Sequence, residues 1–512
     1  MTISRYFLLL VLMGFLSCQT SERKQTDNAE YETKMERYRP LFHFTPENNW
    51  TNDPNGLVYL DGEYHLFYQY NPFGDTWGHM SWGHAISKDL LNWEHLPVAL
   101  YEEDSIMIFS GSAVVDNKNT SGLCSDNKCM FAIYTSHDHS QKKLQHQSIA
   151  YSNDKGRTWT KYDNNPVLDL GMRDFRDPKV FWLEESERWI MVVSHPLEYK
   201  VQFYQSDNLV DWDLTGEFGG YGDASRIWEC PDLLKVNVKG SDEFKWVLII
   251  SSGSQYEGFT GMQYFVGEFD GERFIADHPG QSPEWLDYGK DFYAAITYNN
   301  LPSGHPPVLI GWANNWAYAN ALPTSPWRGM MSIPRELSLI KAGNEYQLMQ
   351  NPIKSFYELA YKAEKLAFTN HDIEENDQLL KDVQAGSYLI RLEFENIDAD
   401  MVGIEICKSD KEKTMIGYDR TAGHLFIDRT QSGNVDFHDN FASVEYAPLE
   451  LKDNHLNLEI VVDQSIIEVF AEGGSIVISD QVFPKADGRG MQLFVKGGEA
   501  KVRQIEIYPI GD

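Results

Sequence analysis

The sequence predicts an all-β protein, a β-propeller followed by a β-sandwich, and three observations carry that prediction. From Leu41 to about Leu339 the chain reads as short strands broken by frequent turn signals, with little helical periodicity. Within that region one hairpin pattern recurs: a Ser, a nearby Asp, a turn and a Trp. It appears in Ser87-Lys88-Asp89…Trp93, in Ser152-Asn153-Asp154-Lys155-Gly156-Arg157-Thr158-Trp159 and in Ser206-Asp207…Trp212. The Asp would accept turn N–H bonds and the Trp would pack on the hairpin; such a unit repeated at wide intervals is what propeller blades leave in a sequence. From Tyr388 to the end the residues alternate as sandwich strands do, with turns at Asp463-Gln464-Ser465 and Glu472-Gly473-Gly474.

In order along the chain, residues 1–18 read as a targeting segment. Arg5 supplies a thin basic start, and Tyr6 to Leu16 is an apolar run too short to span a bilayer. It ends at Phe15-Leu16-Ser17-Cys18, which resembles a bacterial lipoprotein signal with cleavage before Cys18 and acylation of that residue, although Leu is more typical than Phe15. A plain secretory signal is the alternative. Residues 19–37 are polar and lack apolar periodicity, as a flexible tether does. The reading places the protein outside the inner membrane of a bacterium, as a periplasmic or cell-surface lipoprotein.

Residues 38–350 form the expected propeller. Near its start, Trp50-Thr51-Asn52-Asp53-Pro54-Asn55-Gly56 reads as a carboxylate beside a tight Pro-Asn-Gly turn, at the entrance to two strands over Leu57 to Tyr70. Tyr64–Tyr68, Cys129–Tyr134 and Trp246–Ile250 are further strand runs. Residues 351–370 read as a linker, with a short helical look from Ser355 to Leu366, and residues 371–512 as the sandwich.

Composition narrows the function classes. The net charge is −32, from 44 Lys and Arg against 76 Asp and Glu, so a nucleic-acid or anionic-membrane partner is excluded for want of a basic face. Contact with a membrane is expected only through a lipid on Cys18. The aromatic share is 13%, with 14 Trp, 27 Tyr and 27 Phe, and ring faces stack on the C–H faces of sugars as readily as they fill a β-core. Five cysteines make no disulfide scaffold. Cys124 and Cys129 flank a turn and could pair or remain free thiols; Cys230 and Cys407 read as single buried thiols. The histidines, His79 and His84 included, read as structural. No metal-ligand spacing appears, and no cofactor is expected.

Three acidic residues stand apart. Asp53 sits between amides, Asp177 lies in Phe175-Arg176-Asp177-Pro178, and Glu229 lies in Trp228-Glu229-Cys230-Pro231-Asp232. Taken alone, Arg176-Asp177 reads as a surface ion pair and Trp228-Glu229 as ordinary strand. Together they offer a carboxyl kept protonated by apolar neighbours, Glu229 against Trp228 and Cys230, and one kept ionised by amides, Asp53 beside Asn52 and Asn55. Two carboxyls with separated pKa values are what glycoside hydrolysis requires. The inner strands of a propeller could bring them to one funnel.

These three blocks resemble the signature segments of glycoside hydrolase family 32, which contains invertases, inulinases, levanases and other β-fructofuranosidases. Phe109-Ser110-Gly111-Ser112, Gly311-Trp312-Ala313-Asn314-Asn315-Trp316, Pro334-Arg335-Glu336-Leu337 and Asp463 to Phe470 resemble further segments of it. The resemblance implies five blades plus the sandwich. It implies Asp53 as nucleophile, Glu229 as acid/base and Asp177 as stabiliser of the transition state, with net retention. It further implies a pocket of Trp50, Asn52, Gln69, Trp77, Phe109, Ser110 and Arg176, closed by Trp312 or Trp316, with Trp316 favoured. Thr51 departs from the usual Met and puts the pocket shape in question. The implied substrate is a fructan (levan or inulin) or fructo-oligosaccharide, attacked from its end with release of fructose, and sucrose as well. Alternatives are an endo-levanase of the same fold, a fructosyl transferase and a non-catalytic fructan-binding lipoprotein. A sialidase, which the hairpin repeat allows, would need arginine companions for Arg176.

Overall fold

The computed structural model describes residues 36–140, 142–254, 259–280 and 282–511. Cys18, the signal-like segment and nearly all of the tether-like segment lie outside these residues. Five sheets form one ring. Their first strands are Asn49–Leu60, Ile106–Asp116, Arg176–Leu183, Ile227–Asn237 and Tyr293–Thr297. Each of these packs on the next, and the fifth packs back on the first, so they are the innermost strands of a five-bladed propeller. Trp327 and Arg328 close the ring, pairing in parallel with Asn49 and Trp50 of the first blade.

The repeated hairpin joins the third and fourth strands of the first three blades. In two copies it is built as expected: Asp89 accepts from the N–H groups of Leu91 and Asn92, and Asp154 from that of Thr158. In the third copy the acceptor is Asn208, not Asp207. Its Oδ1 takes the N–H groups of Val210 and Asp211, and Ser206 Oγ bonds to it at 3.1 Å. The amide oxygen does the same work as the carboxylate, so the motif is an Asx turn that either residue can build.

The block around Asp53 departs from the expected turn. Residues 49–60 form one continuous strand, interrupted by register shifts between Thr51 and Pro54 and between Asn55 and Val58. Pro54 lacks an N–H, so it suits a place where the ladder is already broken. Gly56 has φ +52, and a Cβ there would lie 2.7 Å from the Phe67 ring. It is a point of close packing inside the blade.

A short helix, Lys354–Ala360, follows the last blade. The first sandwich strand, Leu366–Asp372, begins inside the stretch read as linker and pairs with the last strand, Lys501–Gly511. The sandwich stacks a six-stranded sheet on a five-stranded one. Its core is continuous with the propeller: Phe42, Phe44, Leu57 and Ile310 pack in one cluster with Leu389, Val461 and Phe470. Buried charges cross the same seam. Arg335 reaches Glu468 at 2.7 Å and Asp287 at 2.9 Å, and His43 lies between Asp463 (2.8 Å) and Glu468 (3.1 Å). Cys124 and Cys129 form a disulfide, while Cys230 and Cys407 are free and buried.

Candidate active site

All five innermost strands carry the same irregularity near their first residues: two residues stand opposite one residue of the neighbouring strand. The pairs are Asn52-Asp53 opposite Gln69, Phe109-Ser110 opposite Thr135, Asp177-Pro178 opposite Val193, Cys230-Pro231 opposite Ile250, and Ala294-Ala295 opposite Gly311. A bulge bends its strand and re-aims the side chains beside it. Asp177, Cys230 and Ala294 take positive φ values of 65°, 44° and 51°, which non-glycine residues adopt only where the surrounding fold imposes them. The five bulges together turn side chains from five separate sheets towards one end of the central channel.

Asp53, Asp177 and Glu229 meet there. Ser110 Oγ donates to Asp53 Oδ2 at 2.6 Å, and Asn52 Nδ2 to Asp53 Oδ1 at 3.0 Å. The Cys230 thiol lies 3.6 Å from both Asp53 Oδ2 and Asp177 Oδ2, and the Cys230 N–H donates to Asp177 at 3.0 Å. Arg176 donates through Nε (3.1 Å) and Nη2 (3.0 Å) to one oxygen of Glu229; Tyr293 donates its hydroxyl to the other at 2.8 Å. Arg176 is thus no surface pair with Asp177, which lies 3.9 Å from it; its carboxylate partners are Glu229 and, at 2.9 Å, Asp174.

Asp53, Asp177 and Glu229 share one guanidinium, and the excess of negative charge favours a retained proton. Burial pushes Asp53 up, with Glu229's charge adding to it; the bonds from Ser110 and Asn52 oppose this. The amides therefore do not dominate at Asp53, contrary to the sequence expectation. Asp177 is pushed to about 7 by burial and by the charges of Glu229 and Asp53, against the pull of Arg176. Burial also pushes the Cys230 thiol well up, so it stays an S–H between two carboxylates.

The pocket residues separate into two groups. Asn52, Ser110, Gln69 and Arg176 stand at the bulges or directly opposite them. Trp77 is 42% exposed and meets Phe109 edge-on at 6.3 Å, forming one side of the mouth. Trp316 is half-buried and stacks on Trp50 at 6.1 Å. Trp50 and Trp312, by contrast, are fully buried and present no surface to a sugar. Trp50 instead donates its indole N–H to Asn52 Oδ1 at 2.8 Å, which aims the Asn52 amino group at Asp53. Trp312 backs Trp316 at 4.7 Å. Trp228 is buried among Phe218 and Phe265 and donates to the Asp223 carbonyl, so the neighbours of Glu229 are Arg176 and Tyr293, not an indole wall. Thr51 bonds the Gln69 carbonyl at 3.0 Å, and its own carbonyl abuts Gly329, where a Cβ would approach to 2.1 Å. It faces ring closure, away from the carboxylates.

Sequence reasoning missed Tyr293 and Gln145. Gln145 Oε1 accepts from Arg176 Nη1 at 3.2 Å and from the Phe175 N–H at 3.0 Å. Neither lies in a recognisable block. The bulge following Tyr293 is the only signal, and it is visible in the ladder and not in the residue types.

Residues 43–352 match the glycosyl hydrolases family 32 N-terminal domain, and residues 356–509 match the glycosyl hydrolases family 32 C-terminal domain. A levanase of Bacillus subtilis is 44% identical over 98% of this chain and 74% of its own length. An extracellular exo-inulinase of Aspergillus awamori is 40% identical over 92% of this chain and 94% of its own. The crystal structure of the exo-inulinase from Aspergillus awamori superimposes with a TM-score of 0.87, covering 93% of this chain and 98% of that one. A β-fructofuranosidase of Schwanniomyces occidentalis, solved with fructosyl-erythritol, gives 0.81 at 34% identity, over 93% of this chain and 98% of that one. With two family domains in order over nearly all described residues, the chain belongs to glycosyl hydrolases family 32.

Proposed function

We propose that this protein is a retaining glycoside hydrolase that cleaves β-fructofuranosidic bonds of fructans and releases fructose from chain ends. The observation that carries the reading is the convergence of Asp53, Asp177 and Glu229 at one end of the channel, each beside its own bulge, with donors on Asp53 and Glu229. Asp53 attacks the anomeric C2 of the terminal fructosyl unit while the proton that the excess of negative charge favours in this cluster passes through Glu229 to the leaving oxygen, and the bond from C2 to that oxygen breaks. A water then loses a proton to Glu229 and attacks C2, the bond to Asp53 breaks, and fructose leaves with retained configuration. Asp177 holds sugar hydroxyls and stabilises the positive charge that develops on the ring. Ser110 and Asn52 fix the Asp53 carboxylate, and Trp77, Phe109 and Trp316 supply ring faces at the mouth.

The names of the relatives, levanase and exo-inulinase, support a fructan substrate. A mouth walled by Trp77 and Phe109 on one side and Trp316 on another suits the end of a chain better than its middle. The extracellular designation of the exo-inulinases supports action outside the cell, and the Phe15-to-Cys18 segment supports a lipid anchor on Cys18. Timed product profiles on sucrose, inulin and levan test the whole reading. Fructose alone at early times is expected. A ladder of oligosaccharides would transfer the assignment to an endo-acting enzyme, products longer than the substrate to a transferase, and no turnover on any of the three to a binding protein.

A further inference from the structure

His137 lies at the edge of this site, on the second strand of the second blade, directly across the ladder from Gln145. Gln145 is buried, and its two ends cannot be exchanged. Its oxygen faces two groups that can only donate, the Phe175 N–H and the Arg176 guanidinium. Its amino group therefore points the other way, to His137 Nδ1 at 3.2 Å. An amino group has no lone pair to offer, so Nδ1 must accept. That places the ring proton on Nε2 and makes His137 neutral. The same ring lies flat on Phe109, with centroids 4.4 Å apart and planes 10° apart.

We propose that His137 and Gln145 are positioning residues of the reaction: neutral His137 holds the Gln145 amide in the one orientation that anchors Arg176 on Glu229. Protonation of His137 puts N–H against N–H, releases the amide and takes from Arg176 Nη1 one of its two acceptors, leaving Asp174 alone to place that arm. The loss of activity on the acid side then includes a step that belongs to His137 and not to the carboxylates. The groups facing His137 agree with a neutral ring. Burial and the charge of Arg176 push its pKa down to about 4, with His139 and Lys143 acting in the same direction and Asp138 against them.

This inference rests on the proposed hydrolase reading, and two substitutions separate its parts. His137→Phe keeps a flat ring against Phe109 and removes the acceptor. His137→Asn loses the ring but sets an oxygen where Nδ1 stood, an acceptor that does not titrate. The measurement is kcat and KM for fructose release from pH 3 to 8. His137→Phe is expected to lower kcat about tenfold or more with little change in KM, because a misplaced Arg176 costs transition-state stabilisation. His137→Asn is expected to recover most of that loss, and the acid-side step near pH 4 should vanish in both variants. If His137→Phe keeps the wild-type kcat, or if both variants retain the wild-type acid limb, the inference is wrong while the hydrolase reading stands. An inactive wild-type protein would overturn the hydrolase reading itself.

Discussion

Lys179 offers a sharp test of how the channel holds the site. It follows Asp177 by two residues and points into the channel, where its ammonium reaches Asp232 at 3.1 Å, the Thr297 carbonyl at 2.9 Å and the Thr297 hydroxyl at 3.2 Å. Asp232 also accepts from the Thr297 N–H and, at 2.8 Å, from its hydroxyl. Both charged side chains are almost wholly buried, at 3% and 0% exposure, and the group ties the third, fourth and fifth blades together. Lys179→Met leaves Asp232 as a buried carboxylate without its cation. Breaking such a pair costs about 3–5 kcal/mol, far more than loss of a surface pair. Propeller and sandwich share one core, so residues 36–511, about 470 in all, unfold together with an entropy of about 1.0 kcal/mol/K at ~2.1 cal/mol/K per residue. A loss of about 4 kcal/mol therefore lowers Tm by about 4 °C. Adding Asp232→Asn removes the orphaned charge and should restore more than half of the loss, since a neutral amide still accepts from Thr297. Thermal unfolding of the two variants beside the parent measures this. A Lys179→Met protein within about 2 °C of the parent, or a double variant less stable than the single one, would show that the channel is not held by this ion pair.

Asp53→Ala and Glu229→Ala should each lower kcat by several orders of magnitude with the thermal transition retained; wild-type-like turnover in Asp53→Ala would remove it as nucleophile. Tyr293→Phe removes one donor from Glu229 and should lower kcat about tenfold with the fold intact, read by steady-state kinetics and circular dichroism. Asp177 has a folded pKa of about 7, raised by burial and by like charges, so its ionisation destabilises the folded state as pH rises from about 4 through about 7. Asp177→Asn should accordingly be more stable than the parent at pH 8, by an advantage that disappears at pH 4, while losing most activity. His43 is the opposite case. Burial lowers its pKa, but the bonds to Asp463 and Glu468 outweigh it and hold the folded value at about 9. Its stabilising contribution is complete below about pH 6.5 and lost through about pH 9, so His43→Gln should narrow the Tm gap to the parent between those limits.

Much of this site was legible because Asp53, Asp177 and Glu229 lie in short blocks that each contain a proline, and proline marks a broken ladder. What the residue types did not carry was direction. In an unbroken strand, alternate side chains face alternate sides, but each block here contains an extra residue, and parity fails across it. Trp50, Trp228 and Trp312 read as walls of the site because they stand near its residues in the sequence, although all three are buried. The Pro54-to-Gly56 run read as a turn because its residue types are those of a turn, yet it continues a strand. Tyr293 and Gln145 were illegible for another reason: their partners, Glu229 and Arg176, lie 64 and 31 residues away in neighbouring blades, and only the packing of one blade on the next brings them close. The repeated hairpins identified the propeller, yet they lie between the third and fourth strands, away from the channel, and so carried no information about the chemistry.

The five bulges have a consequence for how such a site can change. The ladder provides one two-against-one register five times over, occupied by Asn52-Asp53, Phe109-Ser110, Asp177-Pro178, Cys230-Pro231 and Ala294-Ala295. Only the side chains distinguish the proposed nucleophile, the hydroxyl donor, the proposed stabiliser, the thiol and the inert filler. New chemistry can be written into one slot while the other four, and the ladders beneath them, stay as they are. The Ala294-Ala295 slot, which offers methyl groups alone, is the vacant place at that table.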